Sequence, residues 1–120
     1  MVGALLAVVL LVQAAWRDGL QANGWYEVGG NDDTVLFVRF DQANTIWARF
    51  ESREGNGILS SAHLYEVDCR ARTMTVIQAT GYERRNMLGP STDLGREYQA
   101  RRPIPGSLGE TIFTLACPAV

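Results

Sequence analysis

The chain has 120 residues, 47% of them hydrophobic and 20% charged, with a formal net charge of −2. That length supports one core and not two, and the slightly acidic balance excludes a strong general pull toward nucleic acid. All 11 basic residues are arginine, a bias that genome base composition explains more simply than function does.

Residues 1–12 are apolar, and no charge precedes Arg17. A run this short falls below the roughly 20 residues needed to span a bilayer and suits the apolar region of a secretory signal peptide. Val12-Gln13-Ala14-Ala15 places small residues at a cleavage position. Residues 1–15 are therefore expected to be a cleaved leader and residues 16–120 the mature domain, with no transmembrane span. The basic residues usual at the start of such a leader are missing, and a buried first strand or helix is the competing reading. No cysteine follows the apolar run, so lipid anchoring is not expected.

Short strand-like runs follow. Trp25-Tyr26-Glu27-Val28 ends at Gly29-Gly30, and Asn31-Asp32-Asp33 reads as a polar turn. Residues 35–40 are β-branched and aromatic, and four residues, 41–44, separate them from a second run at 45–51. So short a connection demands an antiparallel hairpin. In the second run Ile46, Ala48 and Phe50 share one face, while Trp47, Arg49 and Glu51 share the other, expected to be exposed. Gly55-Asn56-Gly57 marks a loop.

Residues 62–69 form the next expected strand. There Tyr65, Val67 and Cys69 face the core, which puts Cys69 inside. Arg70-Ala71-Arg72 is a tight turn, residues 73–81 a fifth strand, and residues 82–95 a long polar loop containing Gly89-Pro90. Residues 98–104 read as an edge strand, where Pro103 is tolerated. The period then changes. Ser107-Leu108-Gly109-Glu110 matches a capping box, and Leu108, Ile112, Leu115 and Ala116 recur at helical spacing until Pro118.

The fold class expected is α+β: a curved antiparallel sheet of five to six strands with one C-terminal helix packed on it. Cys69 and Cys117 are the only cysteines. In an exported chain they read as one disulfide, worth roughly 4 kcal/mol in the chain-entropy model; in a cytoplasmic chain they would be free buried thiols.

Leu64-Tyr65-Glu66-Val67-Asp68-Cys69 resembles the cysteine-ending strand of the bacterial surface-adhesin protein E family, and Ile77-Gln78-Ala79-Thr80-Gly81-Tyr82 resembles the strand after it. Pro105-Gly106-Ser107-Leu108-Gly109-Glu110, ending in Ala116-Cys117, is similar to the family's terminal helix and second cysteine. The stretch from Asp33-Thr34-Val35 to Ile46-Trp47 resembles its opening hairpin. The likeness covers most of residues 24–117. It implies a sheet-plus-helix domain with one disulfide, exported to the periplasm or cell surface, in a family whose named members bind host extracellular proteins. It brings no catalytic motif.

The residues themselves point away from catalysis. The single histidine, His63, reads as a surface or strand-edge residue, with Ser60 and Ser61 beside it on a strand that sends neighbours to opposite faces. Asn31-Asp32-Asp33 lacks the spaced ligands of a calcium loop, and one histidine with two paired cysteines makes no zinc set. Neither Gly29-Gly30 nor Gly55-Asn56-Gly57 has the lysine and helix of a phosphate loop. No cofactor is expected. The candidate partner-binding residues are Arg84, Arg85, Arg96, Arg101 and Arg102, with Tyr82 and Tyr98 nearby, suited to an acidic glycan or an extracellular or envelope protein. Glu83, Asp93 and Glu97 dilute that charge, so a solvated mixed-charge loop is the plainer account. The face bearing Trp47 is the next candidate. A non-enzymatic envelope binding module leads, with adhesion to a host or environmental macromolecule as the form the resemblance implies; a periplasmic structural or inhibitory protein binding another envelope component is the alternative, and an unrecognised enzyme comes last.

Overall fold

The computed structural model describes residues 24–53 and 57–118. The leader read at residues 1–15 and most of the glycine loop, residues 54–56, lie outside the described residues.

Six strands form one antiparallel sheet in simple chain order: β1 Tyr26–Gly30, β2 Thr34–Phe40, β3 Thr45–Ser52, β4 Ser60–Asp68, β5 Thr73–Arg84 and β6 Leu88–Asp93. Among the described residues one α-helix, α1, Leu108–Ala116, lies on one face. The expected fold class is the one observed. Each turn has a local cause. Asn31 Oδ1 accepts from the amides of Asp33 and Thr34 at 3.0 and 2.9 Å, which folds β1 onto β2. Gly30 adopts a positive φ there, and a Cβ would strike the Thr34 carbonyl oxygen. Thr45 Oγ1 accepts from Gln42 N and donates to Asp41 Oδ2, which sets the β2–β3 hairpin.

Two expected elements differ. Residues 82–95 are not a loop. β5 runs on to Arg84, a 3₁₀ turn at Arg85–Met87 reverses the chain, and β6 returns along β5. The reversal needs positive φ at Asn86, Met87 and Gly89. Its Asn86 and Met87 amides are satisfied by the distant side chains of Glu51 and Ser60, which local sequence does not announce. β6 is an exposed edge, so Pro90 withholds no needed hydrogen bond. Conversely, no strand forms across residues 98–104. Only Arg101 bridges to Met74, through two backbone hydrogen bonds of 2.9 and 3.0 Å.

The helix face holds the main core. Leu36, Val38, Ile46, Ala48, Val67 and Met74 pack with Ile112 and Phe113 of α1. Phe113 joins the stripe read from sequence, and each such burial is worth roughly 1.5–3 kcal/mol. Ser107 caps the helix by accepting from Glu110 N at 3.2 Å, while Glu110 Oε1 accepts from Gly106 N, one residue before the cap.

Cys69 and Cys117 form a disulfide with Cα atoms 5.6 Å apart. Cys69 is not inside: it lies just past the end of β4, on the exposed turn, where it meets the last turn of α1 at the surface. A nine-residue helix is marginal alone, so this tie and the Ile112–Phe113 contact hold it together. Replacing Cys117 with serine should lower stability by about 2–5 kcal/mol. Denaturant unfolding checks this, and reductant should bring the parent chain to the same midpoint. An unchanged midpoint in both would remove the disulfide from the account of stability.

Candidate functional site

The sheet's second face is not the solvated face expected from sequence. Trp25, Val35 and Phe37 form a second buried cluster there, with Trp47 half-buried against it. Arg49 and Glu51 are 2% and 0% exposed. Arg49 Nε lies 3.0 Å from Glu51 Oε2, and the Arg49 guanidinium sits 5.3 Å from the Trp25 ring centre. Among the described residues Arg49 Nη2 has no hydrogen-bond partner. Both oxygens of Glu51 receive the Asn86 amide, at 3.1 and 3.2 Å. Burial pushes the Glu51 carboxyl above its ordinary range, against the pull of the Asn86 amide and of Arg49. The same desolvation draws the Arg49 guanidinium downward, opposed by Glu51.

A groove opens beside this pair. The register sets Arg39, Trp47, Leu64 and Gln78 side by side across β2 to β5, with Arg49, Ala62 and Thr80 in the next row along. Trp25, Arg39, Asp41, Trp47, Ala62, Gln78, Thr80, Tyr82 and Met87 line a cavity of about 340 Å³. Ala62, 6% exposed, is the small side chain between Arg49 and Thr80 that leaves the floor low. Among these residues sequence reading had marked only Trp47 and Tyr82. The signal available was parity: Arg39, Trp47, Ala62, Leu64 and Gln78 all fall on the face opposite Ile46.

The five arginines singled out by sequence do not meet. β5 carries Met74, bridged to Arg101, near its start and Arg84 at its end. At about 3.3 Å per residue these ends lie about 33 Å apart. Arg85 is half-buried and donates to the carbonyls of Ser52 and Arg53, so it acts as an anchor for the 3₁₀ turn. Arg96 lies 5.0 Å from the Tyr98 ring centre, and Arg101 pairs with Glu97. Arg101 and Arg102 are exposed at the end of the sheet that also carries the exposed Arg70 and Arg72 of the β4–β5 turn. Arg72 and Arg102 line one surface hollow with Phe113 and Glu110, and Arg72 lies 5.9 Å from the Phe113 ring centre. Sequence reading took Arg70 and Arg72 only as a turn, because the bridge from Arg101 to Met74 that brings them together is non-local.

His63 sits on a strand paired on both sides, not at an edge. Its Nε2 is 3.0 Å from Ser61 Oγ, on the same strand face, and its ring lies between Phe50 and Tyr65 at 5.0 and 6.2 Å. Burial lowers its pKa, and no charged neighbour contributes. Among the described residues no carboxylate hydrogen-bonds the ring, and nearby Glu97 accepts from Val76 N and pairs with Arg101. Among the described residues no three His, Cys, Asp or Glu side chains could hold a metal ion, and no helix is long and apolar enough to cross a membrane.

Arg49→Met should strand a buried carboxylate at a loss of about 3–5 kcal/mol near neutral pH. Glu51 has a raised folded-state pKa, so its stabilising share is full below the unfolded value and fades as pH rises through the folded one. The Arg49→Met deficit should therefore shrink on acidification. Adding Glu51→Gln, which keeps an acceptor for Asn86 N, should recover more than half of it. Urea unfolding across pH measures both, and simple additivity of the two changes would show that the charges are uncoupled.

A family model described as surface-adhesin protein E matches residues 25–118. No curated protein and no solved structure matches the chain.

Proposed function

The chain belongs to the surface-adhesin protein E family, and from that premise we propose that it is an exported binding module of the cell envelope, made to hold an acidic patch on an extracellular macromolecule. The observation that carries this reading is the group of exposed arginines at the disulfide end of the sheet: Arg70, Arg72, Arg101 and Arg102. Exposed guanidinium groups on turns and return segments stay hydrated, or in the case of Arg101 paired with Glu97, until a partner arrives, then form charge-assisted, forked hydrogen bonds to carboxylates or sulfates. Phe113 and Pro103 line the hollow between them, so apolar area is offered beside the charge. Arg96 flanks this group; Arg84 and Arg85, at the far end of β5, would serve only a partner long enough to reach both.

The disulfide supports the exported part of this reading. A disulfide joining a turn to a helix end is favoured outside the reducing cytoplasm. Residues 1–15 are the proposed leader, and intact mass of protein from its native host should correspond to a chain starting at Ala15 or Trp16. A mass retaining residues 1–14 would overturn cleavage.

Binding is tested on heparin and a panel of extracellular-matrix proteins. At least one should bind saturably and weaken as salt rises, because exposed charges are screened beyond about 8–10 Å near physiological ionic strength. Changing Arg70, Arg72, Arg101 and Arg102 together to alanine should abolish that binding with little change in thermal midpoint, since exposed ion pairs contribute about 0–1 kcal/mol. Salt-insensitive binding, or binding retained in the quadruple variant, would move the contact away from these arginines.

A further inference from the structure

We propose that the groove walled by Trp47 and Tyr82 on the face opposite α1 binds one pyranose ring of a glycan, a site separate from the arginines at the disulfide end. A pyranose presents two surfaces to a protein. One is a flat patch of C–H bonds that carries slight positive charge and lies well on the negative face of an aromatic ring. The other is a rim of hydroxyls, each donor and acceptor, which asks for planar polar side chains able to fork two neighbours.

The groove supplies both. Trp47 and Tyr82 are half-buried, with Trp25 behind them at 5% exposed and Met87 closing the end. The aromatic wall is rigid, because Trp47 packs on the Trp25, Val35 and Phe37 cluster and Trp25 is pinned under Arg49. A wall already held in place loses little entropy on binding. Trp47 on β3 and Gln78 on β5 are two strand spacings apart, about 10 Å, with Leu64 between them and the low floor at Ala62 in the next row along. At the rim stand Arg39, Asp41, Gln78 and Thr80. Among the described residues Arg39, Gln78 and Thr80 make no side-chain hydrogen bond, and Asp41 uses only Oδ2, toward Thr45. A carboxylate oxygen, an amide, a hydroxyl and a guanidinium are thus free on one small opening.

Other occupants fit less well. The volume of about 340 Å³ lies at the lower end of small-molecule sites, too small for a helix or a strand pair. A purely apolar ligand would strip water from four polar side chains and return no hydrogen bonds. A nucleotide could stack a base on Trp47, but its phosphate would meet Asp41 beside Arg39, the only cation among the described residues that line the groove. A neutral sugar ring uses the aromatic wall and both kinds of polar group, with no charge left unanswered.

The test follows the tryptophan indole N–H resonances of the full mature chain during titration with methyl glycosides of glucose, galactose, mannose and N-acetylglucosamine. At least one should shift the Trp47 resonance saturably, with little dependence on salt. Ala62→Leu, which fills the floor, should abolish the shift. Gln78→Ala, at an exposed position that folding does not need, should weaken binding about tenfold, equivalent to about 1.4 kcal/mol. The quadruple arginine variant should bind the sugar normally, so failure of either site is read independently. The proposal is overturned if no glycoside moves the Trp47 resonance, or if the shift survives unchanged in both Ala62→Leu and Gln78→Ala.

Discussion

One open sheet has two faces, and the one α-helix among the described residues, nine residues long, can shelter only part of one of them. The rest of this molecule follows from that shortage of cover. On the helix face, Ile112 and Phe113 close the core over β2, β3, β4 and β5. On the other face no helix is present among the described residues, yet Val35, Phe37, Arg49 and Glu51 are buried. Strand β2 is therefore buried on both sides over four successive residues, a pattern usual for strands covered by two layers.

Among the described residues, part of the second face is closed by bending. β5 outruns its neighbours, and its 3₁₀ turn folds back toward β3 and β4. Glu51 and Ser60 receive its amides, and Arg85 reaches the carbonyls after β3. A buried carboxylate is an expensive way to hold a turn, since its desolvation must be offset by Arg49 and the Asn86 amide together. It brings position: a turn with positive φ at Asn86 and Met87 has few ways to sit, and a charged acceptor in a dry site selects one of them.

Much of the fold was legible because its signals are local. The Asn31 turn, the four-residue β2–β3 connection and the Ser107–Glu110 cap each act within a few residues, and each lies where it was read. The misread stretches share a non-local cause. Residues 82–95 look like a loop because the groups that make them a hairpin are Glu51 and Ser60, more than 20 residues upstream. Residues 98–104 carry strand-like residues, but only Arg101 finds a backbone partner. Arg49 and Glu51 were assigned to solvent because alternation alone gives a face, not what covers it. The same limit hid the groove, whose walls come from the chain before β1, from β2 to β5 and from the 3₁₀ turn, and split the arginines between two ends of one strand.

The groove is also where the packing departs from what stability alone would favour. Ala62 is flanked on its strand face by Leu64 and Ser60 and faces Arg49 and Thr80 across the ladder. A larger apolar side chain at 62 would meet Trp47 and Tyr82 and remove more surface from water, at about 25 cal/mol per Å². Filling such hollows is a common route to a more stable domain. An alanine there leaves two large aromatic rings partly wet on a face where Val35, Phe37, Arg49 and Glu51 are fully buried. Arg39, Gln78 and Thr80 likewise leave their polar groups turned to water at that one opening instead of to one another. Stabilising this face would favour the opposite choice at each of these positions, so the hollow is best understood as kept open for what enters it.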